Sequence, residues 1–149
     1  MVATLARAAG LEVDSMRLAY DYPDYPEITG GDLTVTGNLD WREGAITTSS
    51  GGRLLLPSGA TATLRSGYVF ASNQSWGNVL GRNMVVSPGA TVTVQRVAEA
   101  GRAAFYVGNN AQLRVEGSLL FTSLATADQP FTISPGTAYN NPTSGSVKL

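Results

Sequence analysis

Catalysis needs a nucleophile, a base or a metal ligand at a workable spacing, and this chain of 149 residues offers few of them. It has no His and no Cys, which removes the commonest general base, the Ser-His triads, thiolate chemistry and the commonest metal ligand together. Carboxylates remain. Between residues 44 and 149 they are Glu99, Glu116 and Asp128. A glycosidase requires two carboxyl groups about 5 or 9 Å apart. Glu99 and Glu116 fall on opposite sides of the strands that separate them, so they read as solvated strand-end charges. Asp21, Asp24 and Glu27 could gather on a hard cation such as Ca²⁺, but their spacing is not that of an EF-hand loop. No phosphate-binding loop or dinucleotide fingerprint is present. The expectation is a protein without catalytic residues, cofactor or metal.

What the residues do offer is material for docking. The net charge of −1 hides a division: residues 1–43 carry −5 and residues 44–149 carry +4. Opposite fields of this kind steer and orient association. Within the acidic part lies Tyr20-Asp-Tyr-Pro-Asp-Tyr-Pro26, a doubled Asp-Tyr-Pro motif. Each Pro disfavours helix at the residue before it, so the segment reads as extended. Tyr20, Tyr22 and Tyr25 supply wide contact area with polar tips, and Asp21, Asp24 and Glu27 supply charge. It reads either as a docking arm or as a cover over the end of the body.

The arginines Arg53, Arg65, Arg82, Arg96, Arg102 and Arg114 are dispersed, with one Lys in the whole chain. Nucleic-acid binding needs a concentrated basic patch, so none is expected. Arg53, Arg82 and Arg102 each stand at the start of a similar segment. Stacking would align them as a ladder able to receive the acidic arm of a neighbouring subunit. Residues 71–78 are polar around Trp76 and read as a loop, whose Asn73, Gln74, Trp76 and Asn78 suit contact with a sugar or a protein. The alternative is a Trp folded back onto the body.

The elements that hold these residues follow from an internal echo. Arg53–Leu64, Asn83–Val94 and Ala104–Val115 share an order: apolar strand, short turn, Ala, then apolar/polar alternation. The shared alanines Ala60, Ala90 and Ala111 recur after 30 and then 21 residues, the extra length lying in the 71–78 loop. A repeat that cannot bury its own apolar face implies stacked coils. Superposition predicts columns of Ala62, Val92 and Leu113, and of Leu64, Val94 and Val115. The fold class expected is all-β, a short β-solenoid. Residues 1–31 form an N-terminal arm or cap, 32–134 the body and 135–149 a loose tail. Short helical pieces are expected at Thr4–Ala9 and Ser15–Ala19, and a turn at Gly37-Asn38. So small a solenoid needs more burial, which a homotrimer around the coil axis would supply. No apolar run reaches the length of a membrane span, and the first residues do not read as a signal peptide.

The Gly-Ala-Thr-Val-Thr-Val type of coil (Gly89–Val94), the abundance of Gly, Thr, Ser and Asn, and the lack of Cys and His resemble virion proteins of tailed bacteriophages. β-Helical tailspikes and fibres and trimeric head-decoration proteins are similar in style over about residues 45–125. The resemblance implies a non-enzymatic cement protein on the virion surface, made in the host cytoplasm. It would hold the major capsid or another virion protein, with Tyr20–Glu27 as the gripping arm. The alternative it implies is a fibre tip that binds a host receptor or glycan through the Trp76 loop.

Overall fold

The structure is a computed structural model and describes residues 4–7, 10–18, 27–42, 44–47, 51–66, 78–96, 104–107, 111–123, 132–135 and 146–148. These residues form fifteen strands and no helix, so the fold is all-β. The strands come in sets along the chain. First are β1 (Thr4–Arg7) and β2 (Leu11–Leu18), then β3 (Glu27–Gly30) and β4 (Leu33–Trp41). The third set is β5 (Gly44–Thr47), β6 (Leu54–Leu56) and β7 (Thr61–Ser66). The fourth is β8 (Asn78–Gly81), β9 (Met84–Val86) and β10 (Thr91–Arg96). The fifth is β11 (Ala104–Val107), β12 (Gln112–Val115) and β13 (Ser118–Ser123), followed by β14 (Thr132–Pro135) and β15 (Ser146–Lys148).

Pairing is parallel and joins like members of successive sets. One sheet runs β1-β3-β5-β8-β11-β14. The other runs β13-β10-β7-β4-β6-β9-β12-β15, with β2 also on β4. Strand β4 spans two positions at once, since Leu33 pairs with Leu54 of β6 and Asn38 with Thr61 of β7.

Apolar/polar alternation with period two sends every second side chain inward. Parallel register then stacks these side chains into columns. Leu33, Leu54, Met84 and Leu113 form one, and Leu56, Val86 and Val115 another. Leu39, Ala62, Val92 and Leu119 form a third, and Leu18, Trp41, Leu64 and Val94 a fourth. Trp41, Leu39, Leu54, Leu56, Leu64, Met84 and Val94 are fully buried. Each such side chain stabilises by roughly 1.5–3 kcal/mol.

The third echo does not stack as its sequence suggests. Leu113 and Val115 lie on Met84 and Val86 of β9, while Leu119 and Phe121 take the positions beside Val92 and Val94. The equivalent of Ala60 and Ala90 is therefore Gly117 and not Ala111. A Cβ on Gly117 would come within 2.3 Å of the Ala90 carbonyl oxygen. The corners also differ in length. Pro57-Ser-Gly-Ala60 and Ser87-Pro-Gly-Ala90 are β-turns closed by the Ala N–H at 3.0 Å, with Gly59 and Gly89 at φ +85 and +83, the left-handed geometry that glycine adopts without a Cβ clash. The fifth set passes the same corner with two residues fewer, through Glu116-Gly117.

Two further expectations give way. Thr4–Arg7 and Leu11–Leu18 are strands and not helical pieces. In β2 the inward residues are Leu11, Val13, Met16 and Leu18, a 2-3-2 spacing that conceals the strand period. The skip lies where register shifts between Val13 and Ser15, opposite the longer stretch of β4. Burial of these residues against β4 overrides helix propensity. At Gly37-Asn38 the chain does not turn, because β4 runs on to Trp41.

Candidate interaction site

The corner that precedes the middle strands carries a polar ladder. Leu33 pairs with Leu54, Leu54 with Met84 and Met84 with Leu113, so Asp32, Arg53, Asn83 and Gln112 succeed one another along the stack. The Arg53 backbone N–H donates to Asp32 Oδ1 at 2.8 Å, and its Nη2 donates to Oδ2 at 2.7 Å. The Gln112 N–H donates to Asn83 Oδ1 at 2.9 Å. The Arg53 side chain, then its backbone N–H, hold the Asp32 carboxyl below its ordinary range against a small opposing desolvation. The same bond raises the Arg53 guanidinium.

One residue earlier in the register, Arg82 points inward and is buried. Its Nε and Nη2 donate to the Thr47 carbonyl, Nη1 to Gly31 O at 2.7 Å and Nη2 to Ile28 O at 3.4 Å. Burial lowers its pKa, and the charge of Asp32 opposes that shift. An arginine begins so far above neutrality that it stays protonated. Gly52, two residues before Leu54, leaves this corner open. A Cβ there would come within 2.3 Å of the carbonyl carbon and oxygen of Gly31.

The predicted ladder of Arg53, Arg82 and Arg102 is therefore not what Arg53 and Arg82 make. The register partner of Arg53 is Asn83, and a one-residue slip exchanges outside for inside. Arg53 is engaged by Asp32 and Arg82 by carbonyls of its own chain, while Arg102 lies outside the described residues.

A different set of arginines converges on the outer face of β2, β4 and β7. Asp40 accepts from Arg42 Nε on Oδ2 at 3.0 Å and from Arg65 Nε on Oδ1 at 3.0 Å. Arg17 Nε stands 3.9 Å from Oδ2. Three guanidinium groups thus share one carboxylate, whereas Arg53 and Arg114 each have an acid of their own, Asp32 and Glu116. The face continues through Thr63 and Thr93 to Leu120, which is 50% exposed. In register with Arg65 is Gln95, whose Oε1 is buried and has no hydrogen-bond partner among the described residues. Such a face suits an anionic partner. Sequence reading missed it because Arg17, Asp40 and Arg65 lie 23 and 25 positions apart. Those spacings match neither the 30- nor the 21-residue interval of the echoing alanines, so the repeat carries no signal for them.

Of the residues singled out earlier, Tyr20, Asp21, Tyr22, Asp24 and Tyr25 lie outside the described residues, as do Asn73, Gln74, Trp76, Glu99 and Asp128. Glu27 opens β3, with its backbone beside Thr4 and Ala45. Asn78 opens β8 and pairs with Gly44 and Phe105, so it belongs to a strand and not to a loop tip. Among the described residues no group of three or more acids could hold a metal ion. No family model, curated protein or solved structure matches the chain.

Proposed function

We propose that the chain is a non-enzymatic structural protein of a virion surface, a β-solenoid peg that cements a capsid through contacts with copies of itself and a neighbouring virion protein. Chain-order stacking supports the solenoid reading, because successive sets add one strand at each position, always parallel. A body so built is stiff along its axis and repeats its outer side chains at the strand spacing of about 4.8 Å, which suits it to lattice contacts.

The observation that carries the docking reading is the charge excess at Asp40. Among the described residues, one carboxylate among Arg17, Arg42 and Arg65 leaves two positive charges on a half-exposed face. The sequence meanwhile concentrates acids in residues 1–43. The test is quantitative mass spectrometry of particles made with the wild-type chain and with the Arg42→Glu/Arg65→Glu variant. The expected result is a copy number on the scale of the capsid lattice, reduced by the variant. A few copies per particle would favour a fibre tip, and absence from particles would refute a virion role.

A further inference from the structure

The middle strands carry an anomaly that neither the core nor the arginine face uses. Strand β6 is Leu-Leu-Leu and β9 is Met-Val-Val. Leu54, Leu56, Met84 and Val86 are fully buried, which accounts for the inward positions. Leu55 and Val85 face outward and are part-exposed, although the same sets place Thr61, Thr63, Thr91 and Thr93 outward on β7 and β10. A strand apolar on both sides is the pattern of a sheet covered on both sides.

Register extends this position along the stack. Glu12 pairs with Thr34, Thr34 with Leu55, Leu55 with Val85, Val85 with Arg114, and Arg114 with Lys148. The column reads acid, polar, apolar, apolar, base, base. Glu12 has no ion-pair partner among the described residues. Reversing the column sets Glu12 against Lys148, Thr34 against Arg114, and Leu55 against Val85. The sequence of this face is thus complementary to itself only when turned end for end. Placed parallel, Glu12 would meet Glu12 and Lys148 would meet Lys148.

From that reversal we infer that this face binds a second copy of the chain, antiparallel, about a twofold axis between Leu55 and Val85. An isologous contact of this kind closes on itself. The flanking Asp32–Arg53 pair is internally neutral and, because Arg114 within the column is itself paired with Glu116, the charge contrast lies between the two ends, Glu12 and Lys148. The arrangement replaces the threefold association expected from sequence. It concerns the chain alone, so it stands or falls separately from a role on a virion.

The chain has no Cys, so single cysteines report the arrangement. Thr34→Cys and Arg114→Cys chains, mixed and treated with a short bis-maleimide, are expected to form a covalent dimer that neither variant forms alone. Sedimentation velocity of the wild type is expected to show a dimer whose dissociation constant rises about tenfold or more in Leu55→Asp, with circular dichroism unchanged. Glu12→Lys is expected to weaken the dimer and Glu12→Lys/Lys148→Glu to restore it. Self-linking by Thr34→Cys alone, a trimer, or a wild-type mass unaffected by Leu55→Asp would each overturn the inference.

Discussion

Arg82 brings a full positive charge into the interior, and its position is tolerable only because carbonyls of Ile28, Gly31 and Thr47 converge on it. Removing the side chain takes a charged donor from each of these carbonyls, most of them part-buried. Arg82→Ala is therefore expected to destabilise by about 2–4 kcal/mol in urea unfolding. Arg82→Lys should recover only part of this, since an ammonium cannot match a planar fork. Asp32 makes the opposite kind of contribution, exposed and dependent on pH. Its folded-state pKa is depressed by Arg53, so its stabilisation is fully present above the unfolded value of about 4 and is lost as pH falls through the folded value. Asp32→Asn keeps an acceptor for the Arg53 N–H, as Asn83 does for Gln112, but cannot carry the charge. The variant should show a small loss at neutral pH and a flatter stability profile below about pH 4, as read from urea midpoints across that range.

At the scale of elements, the corners decide the register. Strand pairs of this fold differ little in alternation, so what sets which residues meet is the length of chain between them. Two residues more, as in Pro57–Ala60 and Ser87–Ala90, extrude a turn; two fewer, as at Glu116-Gly117, leave a two-residue bend. Small residues occupy the inside of these bends because backbone of the adjacent set lies against them. Gly52 and Gly117 make equally tight contacts of this kind, with backbone of Gly31 and of Ala90 at 2.3 Å from any added Cβ. Gly52→Ala must push the corner that Arg82 also occupies, and is expected to lose about 1–3 kcal/mol, measured by thermal or urea unfolding. The edges differ as well. Strand β2, at one end, carries Glu12, Asp14, Arg17 and a bulge, the features that discourage unwanted strand addition. Strand β13, Ser-Leu-Leu-Phe-Thr-Ser, carries no charge.

At the scale of the molecule, stacking turns single residues into surfaces. A Thr repeated at one position becomes a polar stripe, as with Thr63 and Thr93, and a Leu beside a Val becomes an apolar patch. The outer surface therefore has separable faces on one body: the arginine face around Asp40 and the Leu55/Val85 face. The proposed roles divide accordingly, with the first toward an acidic partner and the second toward another copy. Loss of particle incorporation in Arg42→Glu/Arg65→Glu with the dimer intact, and loss of the dimer in Leu55→Asp, would show that the faces work independently. Additivity of such changes is expected because the two clusters share no side-chain contact.

Much of this was legible in the chain itself. Alternation in Thr61–Leu64 and Thr91–Val94, the Pro-Ser-Gly and Ser-Pro-Gly turns, and the 30-residue interval between Ala60 and Ala90 determine an all-β body with these two sets in register. Composition alone removes His and Cys chemistry. Three features were decided only by tertiary structure. Thr4–Arg7 and Leu11–Leu18 became strands because a neighbouring strand was there to pair with, which local propensity cannot register. The third echo slid because the alternation of Gln112–Val115 fits β9 as well as β10, and only the pairing of backbones chose β9. Arg53 and Arg82 look alike in sequence and lie on opposite sides of the wall, since a parity of one residue determines which of them meets water. The residues set what each strand could bury, and the pairing between distant strands settled which side chains share a face.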